Sequence, residues 1–419
     1  NNFGRQILVW IQRRWYQDSE PKELSYGRNG VGLKYTVMNI YMFPALNGDC
    51  ILVEYVASRY ILIDGGYVDT YKTFLLPKLV EIADNGGVID VLVVTHIDSD
   101  HISGIIRMLE EDKLPISIKE IWYNGYKHVQ SSVHVSEEDE IFVHKDICKE
   151  TRSVNSIPIS AKQGCTLSTL INRKGLLWNR PVNGNTMKGL SSYLLGDATI
   201  HILSPNSNDI SNVEAFWKKK LIKAGLLSKV HSNEYWDDAF EFSLSQEKPG
   251  FHFHEKKVSK SYDLLRIKEE TYVPDSSATN GSSIAFILET EGKRVLFLGD
   301  AHAETIVESL TTLYGEENAP FRFDAVKLSH HGSFSNNSPR LLGMISCDKW
   351  LISTNGEKYN HPDLPTLAHV ITNENNSGAK LYFNYELAVG VELMKEDYHN
   401  GYNFEIVNSF TDDGITITL

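Results

Sequence analysis

The chain has 419 residues, of which 42% are hydrophobic and 23% charged, with a formal net charge of −13. That is ample material for a large buried core, in one large domain or two to three smaller ones. So acidic a surface does not attract polyphosphate broadly, so any nucleic-acid contact has to be local. No stretch reaches the roughly 20 apolar residues a membrane-crossing helix needs. The four cysteines (Cys50, Cys148, Cys165, Cys347) are scattered, without a CxxC pair. They read as unpaired thiols in a reducing compartment, which makes a cytoplasmic location the expectation.

Residues 1–37 carry six basic and three acidic side chains, against the acidic balance of the whole. Ile7–Ile11 is too short for a signal-peptide core, and Arg13-Arg14 follow it instead of preceding it. The segment is expected to be an N-terminal extension, with the catalytic fold starting near Met38. From there, strands are predicted at 39–43, 50–56 and 60–63, the first two joined by a tight turn at Asn47-Gly48-Asp49 and the third ending in Asp64-Gly65-Gly66. The apolar spacing of Phe74, Leu75, Leu79, Val80 and Ile82 predicts a helix over 72–84. Val88–Thr95 is a continuous apolar run of the buried-strand type, and Ile105, Ile106, Met108 and Leu109 mark a helix after it. The middle is less regular, with short strands at 118–123 and 198–203 and an amphipathic helix at 213–227 bearing Lys218-Lys219-Lys220. Residues 206–280 read as an insertion with loops longer than a compact domain tolerates. Strands are predicted again at 282–289, 294–298, 325–328 and 350–353, with helices at 303–314 and 338–345. This order suits an α/β fold of two sheets sandwiched between helices, with halves 38–205 and 281–419 around the insertion.

The strongest chemical signal is His96-Ile97-Asp98-Ser99-Asp100-His101. A buried strand delivers four ligand-type side chains into a turn, and a helix follows at once. His96 and Asp98 can face one way, while Asp100 and His101 open the helix and face another. Two adjacent pockets are what a pair of divalent ions roughly 3.5–4 Å apart requires. A helix cap would explain one such side chain, not four.

The run resembles the HxHxDH signature of the metallo-β-lactamase superfamily, with Asp98 where most members have the second histidine. This HxDxDH form is similar to the branch that includes the nuclease-like domain of bacterial competence (DNA-internalisation) proteins. Asn47-Gly48-Asp49, Leu62–Gly66, Asn280–Ser283, Leu298-Gly299-Asp300, Ser329–Ser333 and Asn360-His361-Pro362 follow in that branch's order. The turn His330-His331-Gly332-Ser333 also resembles that of bacterial phosphorylcholine esterases. The resemblance implies a four-layer αβ/βα sandwich holding two divalent ions, zinc or manganese. It implies His96 and Asp98 on one ion, Asp100, His101 and His331 on the other, and Asp300 between them. His330 is left to touch substrate, Asp64 to orient a ligand, and His361 to line the pocket. The carboxylates of such a site suit Mn²⁺ or Mg²⁺ better than an all-imidazole pocket does, while Zn²⁺ also fits. The superfamily's usual middle-segment histidine has no clear counterpart, and His128, His134, His144 and His201 are the candidates.

These parts imply a metal-dependent hydrolase, a phosphodiesterase or nuclease attacking with a metal-bridged hydroxide, aided by His330 and by Asp100 and His361 at the reacting centre. An acyl hydrolase acting on a lactone or thioester fits the acidic surface equally. A third reading is a metal-binding subunit of a bacterial defence or stress system, docking a protein partner through 206–280. Elsewhere, Phe251–His254 reads as a strand with one polar face, Lys218–Lys220 as a solvated face, and His302 and His369 as surface or core residues.

Overall fold

The computed structural model describes residues 37–129, 167–223, 263–399, 401–409 and 413–419. Helices of eight residues or more are numbered. The chain runs through β1 (Asn39–Met42), β2 (Ile51–Val56), β3 (Arg59–Ile63), α1 (Leu76–Asp84), β4 (Val88–Val93), α2 (Ser99–Glu110) and β5 (Ile118–Trp122). Next come α3 (Leu167–Lys174), β6 (Leu177–Trp178), the hairpin of β7 (Ser191–Leu195) and β8 (Ala198–Ser204), and α4 (Ser207–Lys223). The rest comprises β9 (Ala285–Thr290), β10 (Lys293–Phe297), α5 (Ala303–Tyr314), β11 (Phe321–Phe323), β12 (Ala325–Lys327), β13 (Ile345–Cys347), β14 (Lys349–Ile352), α6 (Leu364–Ile371), β15 (Ala379–Phe383), β16 (Phe404–Asn408) and β17 (Ile415–Thr418).

Two large sheets result. One has the order β17-β1-β2-β3-β4-β5-β6, the other β16-β15-β14-β12-β10-β9-β8-β7. Because successive side chains of a strand point to opposite faces, a strand covered on both sides must be apolar at odd and even positions alike. The inner strands obey this. Ile61, Ile63, Val91 and Val93 of the first sheet meet Ile200, Phe286, Leu288, Val295 and Phe297 of the second in a core between the sheets. The alternate residues Leu62, Ile89 and Leu92 pack outward onto Leu79 of α1, Ile105 and Met108 of α2, and Leu170 of α3. On the far side, Ile287, Leu296 and Val326 pack onto Ile306 and Leu310 of α5 and Leu367 and Val370 of α6. Three cores between four layers make the expected αβ/βα sandwich.

The parallel neighbours β3, β4 and β5 in one sheet, and β10, β12 and β14 in the other, position the site. Parallel strands share an edge at which all carboxyl ends emerge, the usual place for chemistry in α/β sheets. Asp64 follows β3, the His96 run follows β4, Asp300 follows β10, the double histidine follows β12 and Ser353 follows β14.

Residues 1–36, Phe251–His254, His134, His144, Cys148 and Cys165 lie outside the described residues. Cys50 and Cys347 are buried free thiols. The 206–280 segment is described at its two ends. Val213 and Trp217 of α4 are buried in the first outer core, and Leu264 in the second. Lys218 pairs with Glu214 on the exposed side of α4. Among the described residues, no helix is long and apolar enough to cross a membrane.

Candidate metal centre

β4 ends at Val93, and the chain turns through Thr95 and His96 before α2 begins. Asp98 is the N-cap residue of α2, yet its side chain accepts no capping hydrogen bond. Its carboxylate is therefore not used as a cap, and it lies 3.7 Å from His96 Nε2. Close backbone packing sets the corner. A Cβ on Gly48 would lie 1.9 Å from the Asp100 carbonyl oxygen, and one on Gly104 would lie 2.0 Å from that of Gly65. Only glycine lets the β1–β2 turn and the β3 turn sit this tightly against α2.

Three buried histidines present the same arrangement. His101 Nδ1 is hydrogen-bonded to Asp64 Oδ2 at 2.8 Å, and His331 Nδ1 to the Ser353 carbonyl oxygen at 2.8 Å. His96 Nδ1 meets the hydroxyls of Thr95 at 3.0 Å and Ser283 at 3.1 Å. The carbonyl fixes His331 with its proton on Nδ1, and the Asp64 carboxylate does the same for His101. In all three rings Nε2 is buried and without a partner, as is Asp300 Oδ1. The other Asp300 oxygen lies 3.7, 3.5 and 4.0 Å from Nε2 of His96, His101 and His331. Burial of unpaired polar atoms costs free energy, so converging lone pairs beside a carboxylate call for a cation among them. Imidazoles held at Nδ1 and bare at Nε2 are the common form of metal-ligating histidine. Within this cluster, His96, His101 and Asp300 form one set of convergent ligand atoms, and Asp100, His101 and His331 another.

The charges point the same way. Burial pushes the Asp300 carboxyl up, but His101, His330 and His331 outweigh it and hold it well below the usual carboxylate range. Burial lowers His101, yet Asp300 and Asp64 outweigh that and raise it well above an ordinary imidazole. The pocket thus favours positive charge.

His330 differs from its neighbour. Its side chain is 22% exposed, against 1% for His331. Its Nε2 lies 3.8 Å from Asp300, and its ring faces His361 at 5.3 Å and the half-exposed Tyr359 at 6.4 Å. Both histidines of the pair have left-handed backbone, φ 44° and 58°. That conformation is uncommon outside glycine and clusters at functional sites.

The structure thus brings His96, His101, Asp300, Asp100 and His331 into two overlapping ligand sets, with Asp98 3.7 Å from His96, His330 3.8 Å from Asp300, and the His361 ring 5.3 Å from that of His330. Asp64 is in direct contact with His101. Of the middle-segment candidates, His128 packs edge-on against Trp178, with burial lowering it to about 3, and His201 contacts Ser192 and Glu289. Neither belongs to a set of convergent ligand atoms among the described residues. His369 stacks on Phe334, and His302 lies 3.7 Å from Asp275.

The structure adds residues that no motif had given a role. Lys327 is fully buried and pairs with Asp49 at 2.8 Å, and Asp49 in turn lies 3.5 Å from His331 Nδ1. Asn47 donates from Nδ2 to Asp100 Oδ2. Asp49 and Asn47 stood inside a recognisable turn. Lys327 has no sequence signal, because a lysine ending an apolar strand reads as solvated.

The model of the metallo-beta-lactamase superfamily matches residues 44–134. None of the curated proteins compared with the chain matches it in sequence. Solved structures similar to it include the metallo-beta-lactamase fold protein YhfI from Bacillus subtilis, at 9% identity and TM-score 0.38, covering 92% of this chain and 100% of that one. Zn²⁺-bound PqqB from Methylobacterium extorquens gives 9% identity and TM-score 0.34, covering 91% and 100%. The chain thus has the layered metallo-β-lactamase fold, with a family match over residues 44–134 and a buried set of ligand-type side chains suited to a divalent ion.

Proposed function

We propose that the chain is a phosphodiesterase working with two divalent ions, zinc or manganese. The observation that carries the reading is the convergence of three unpartnered, buried Nε2 atoms on Asp300. His96 and Asp98 would hold one ion, Asp100, His101 and His331 the other, and Asp300 both, since a carboxylate has two oxygens. Ions so held would supply Lewis acidity, polarising a substrate oxygen and acidifying water near neutral pH.

The remaining work falls to the protein. Asp64, the Ser353 carbonyl and the hydroxyls of Thr95 and Ser283 fix the ring orientations, so little reorganisation accompanies reaction. His330, on the open side of Asp300, would steady a non-bridging phosphate oxygen or pass a proton to the leaving oxygen. His361 and Tyr359 line the approach beside it. A phosphodiester is favoured because the HxDxDH run and the HHGS turn resemble phosphoester-cleaving branches. A nucleic acid, if it is the substrate, would be held locally, given the chain's net charge of −13.

The test is hydrolysis of bis(p-nitrophenyl) phosphate and single-stranded DNA with added Mn²⁺ or Zn²⁺, beside a thioester and a lactone. Turnover of a diester supports the reading. Turnover of the acyl substrates alone replaces it with acyl hydrolysis, and silence toward all with a stable protein complex replaces it with a partner-binding role. His330→Ala is expected to retain metal and lose roughly a hundredfold or more in rate. Loss of metal there would exchange the roles of His330 and His331.

A further inference from the structure

Asp275 lies in no motif, yet it stands behind His330. Its backbone N–H donates to the Ser335 carbonyl at 3.0 Å, and its Oδ1 accepts from Ser277 N at 2.8 Å. Its other oxygen, Oδ2, accepts from two side-chain amides, Asn280 Nδ2 at 2.7 Å and Asn336 Nδ2 at 2.9 Å. Burial pushes this carboxyl up, but the hydrogen bonds from Ser277, Asn336 and Asn280 outweigh it and keep it ionised, hence an acceptor only.

Both amides also reach His330. Asn336 Oδ1 lies 2.9 Å from His330 Nδ1, and Asn280 Nδ2 lies 3.4 Å from the same nitrogen. The two contacts demand opposite tautomers. An amide oxygen needs a proton on Nδ1, whereas an amide N–H needs a lone pair there. Distance and Asp275 together decide between them: the Asn336 contact is the shorter, and Asp275 takes a hydrogen from each Nδ2 group, which orients Asn336 and competes with the ring for Asn280. Asn336 Nδ2 is further held by the Asp300 carbonyl at 3.2 Å, so the fully buried Asn336 can only turn its oxygen to His330.

We infer that Asp275 is a positioning residue that, through Asn336 and Asn280, holds His330 with its proton on Nδ1 and its Nε2 lone pair directed at the substrate side of Asp300. A bare Nε2 beside a carboxylate is a poor arrangement by itself, and a useful one once a proton or other cation lies between them. With the tautomer fixed in advance, His330 takes its second proton at Nε2 without turning its ring, and that Nε2–H is what would steady a phosphate oxygen or pass to the leaving oxygen. The tautomer stands on the hydrogen bonds alone. Its effect on rate rests on the role proposed above for His330.

The test reads the ring nitrogens directly. The full-length chain, selectively ¹⁵N-labelled at histidine and stripped of divalent ions with chelator, is examined by long-range ¹H–¹⁵N correlation at mildly alkaline pH, with His330→Gln supplying the assignment. The wild type is expected to carry the Nδ1 proton on His330. In Asp275→Ala, Asn280 Nδ2 is free to donate to Nδ1, and signal for the Nε2-protonated form should appear. Adding Asn280→Leu removes that donor and should restore the wild-type pattern, which a merely structural role for Asp275 would not do. In the metal-loaded enzyme, Asp275→Ala should lower kcat roughly tenfold or more with KM and metal content little changed, and the double variant should recover most of it. A wild-type spectrum with the proton on Nε2 overturns the inference whether or not any variant folds, and so does a His330 tautomer unmoved by Asp275→Ala. If the tautomers behave as stated but no phosphodiester is cleaved, the proposed activity fails and the positioning role stands.

Discussion

Asp64 concentrates the design of the site at a single residue. It follows β3 directly, with left-handed backbone, φ 55°, and no exposed surface. Its two oxygens accept from Thr95 N at 2.8 Å, Thr95 Oγ1 at 2.7 Å and His101 Nδ1 at 2.8 Å. One carboxylate thus fixes both the turn before His96 and the ring of His101. Orienting partners of this kind typically contribute 10–100-fold to metal affinity, so Asp64→Asn should weaken metal binding by about that factor while the fold persists. Titration of the metal-free variant with Zn²⁺ or Mn²⁺ checks this. The metal-free chain should also show a pH signature. His101 is raised above its unfolded value of about 6.5, so its protonation stabilises the fold below that pH and the contribution is lost as pH rises through the higher folded value. Melting temperature of chelated protein should therefore fall as pH rises above about 6.5, more in wild type than in Asp64→Asn.

Individual elements show how much of this was legible in the sequence. Apolar runs revealed β2, β3, β4, β9, β10 and α5 because each is covered on both faces or carries a helical stripe, and periodicity reports burial directly. The motif residues were legible because ligand types cluster at strand ends. Conformation was not. Ser329–Ser333 reads as a polar turn, and nothing in its letters specifies two successive left-handed histidines. Nor do local patterns carry pairing across the chain: β17 closes the first sheet against β1, with Asn39 opposite Thr418. The short edge strands β6 and β7 carry too few alternating positions to stand out. Close approach is equally silent in sequence, although it fixes α2. Gly104 N donates to the Gly66 carbonyl at 2.8 Å, and Gly65 N donates to that of His101 at 2.9 Å. Gly104→Ala would press a methyl group into the Gly65 carbonyl, at a cost of about 3 kcal/mol. Denaturant titration should show that loss together with weaker metal binding. A variant as stable as wild type would mean α2 can slide without consequence.

At the scale of the whole molecule, the sandwich brings carboxyl ends of strands from two sheets to one edge. His96, Asp98, Asp100 and His101 come from the first sheet, and Asp300 and the double histidine from the second. Neither half holds both ligand sets, so the site exists only when the layers are packed. Metal should accordingly stabilise the assembled sandwich by binding the folded state alone. The most direct measurement is elemental analysis of purified wild type and Asp300→Ala, each equilibrated with Zn²⁺ or Mn²⁺ and freed of excess. The two-ion site proposed above predicts roughly two ions per wild-type chain and fewer than one in the variant. A wild-type chain that takes up no divalent ion, or an Asp300→Ala variant with the full complement, would contradict the account.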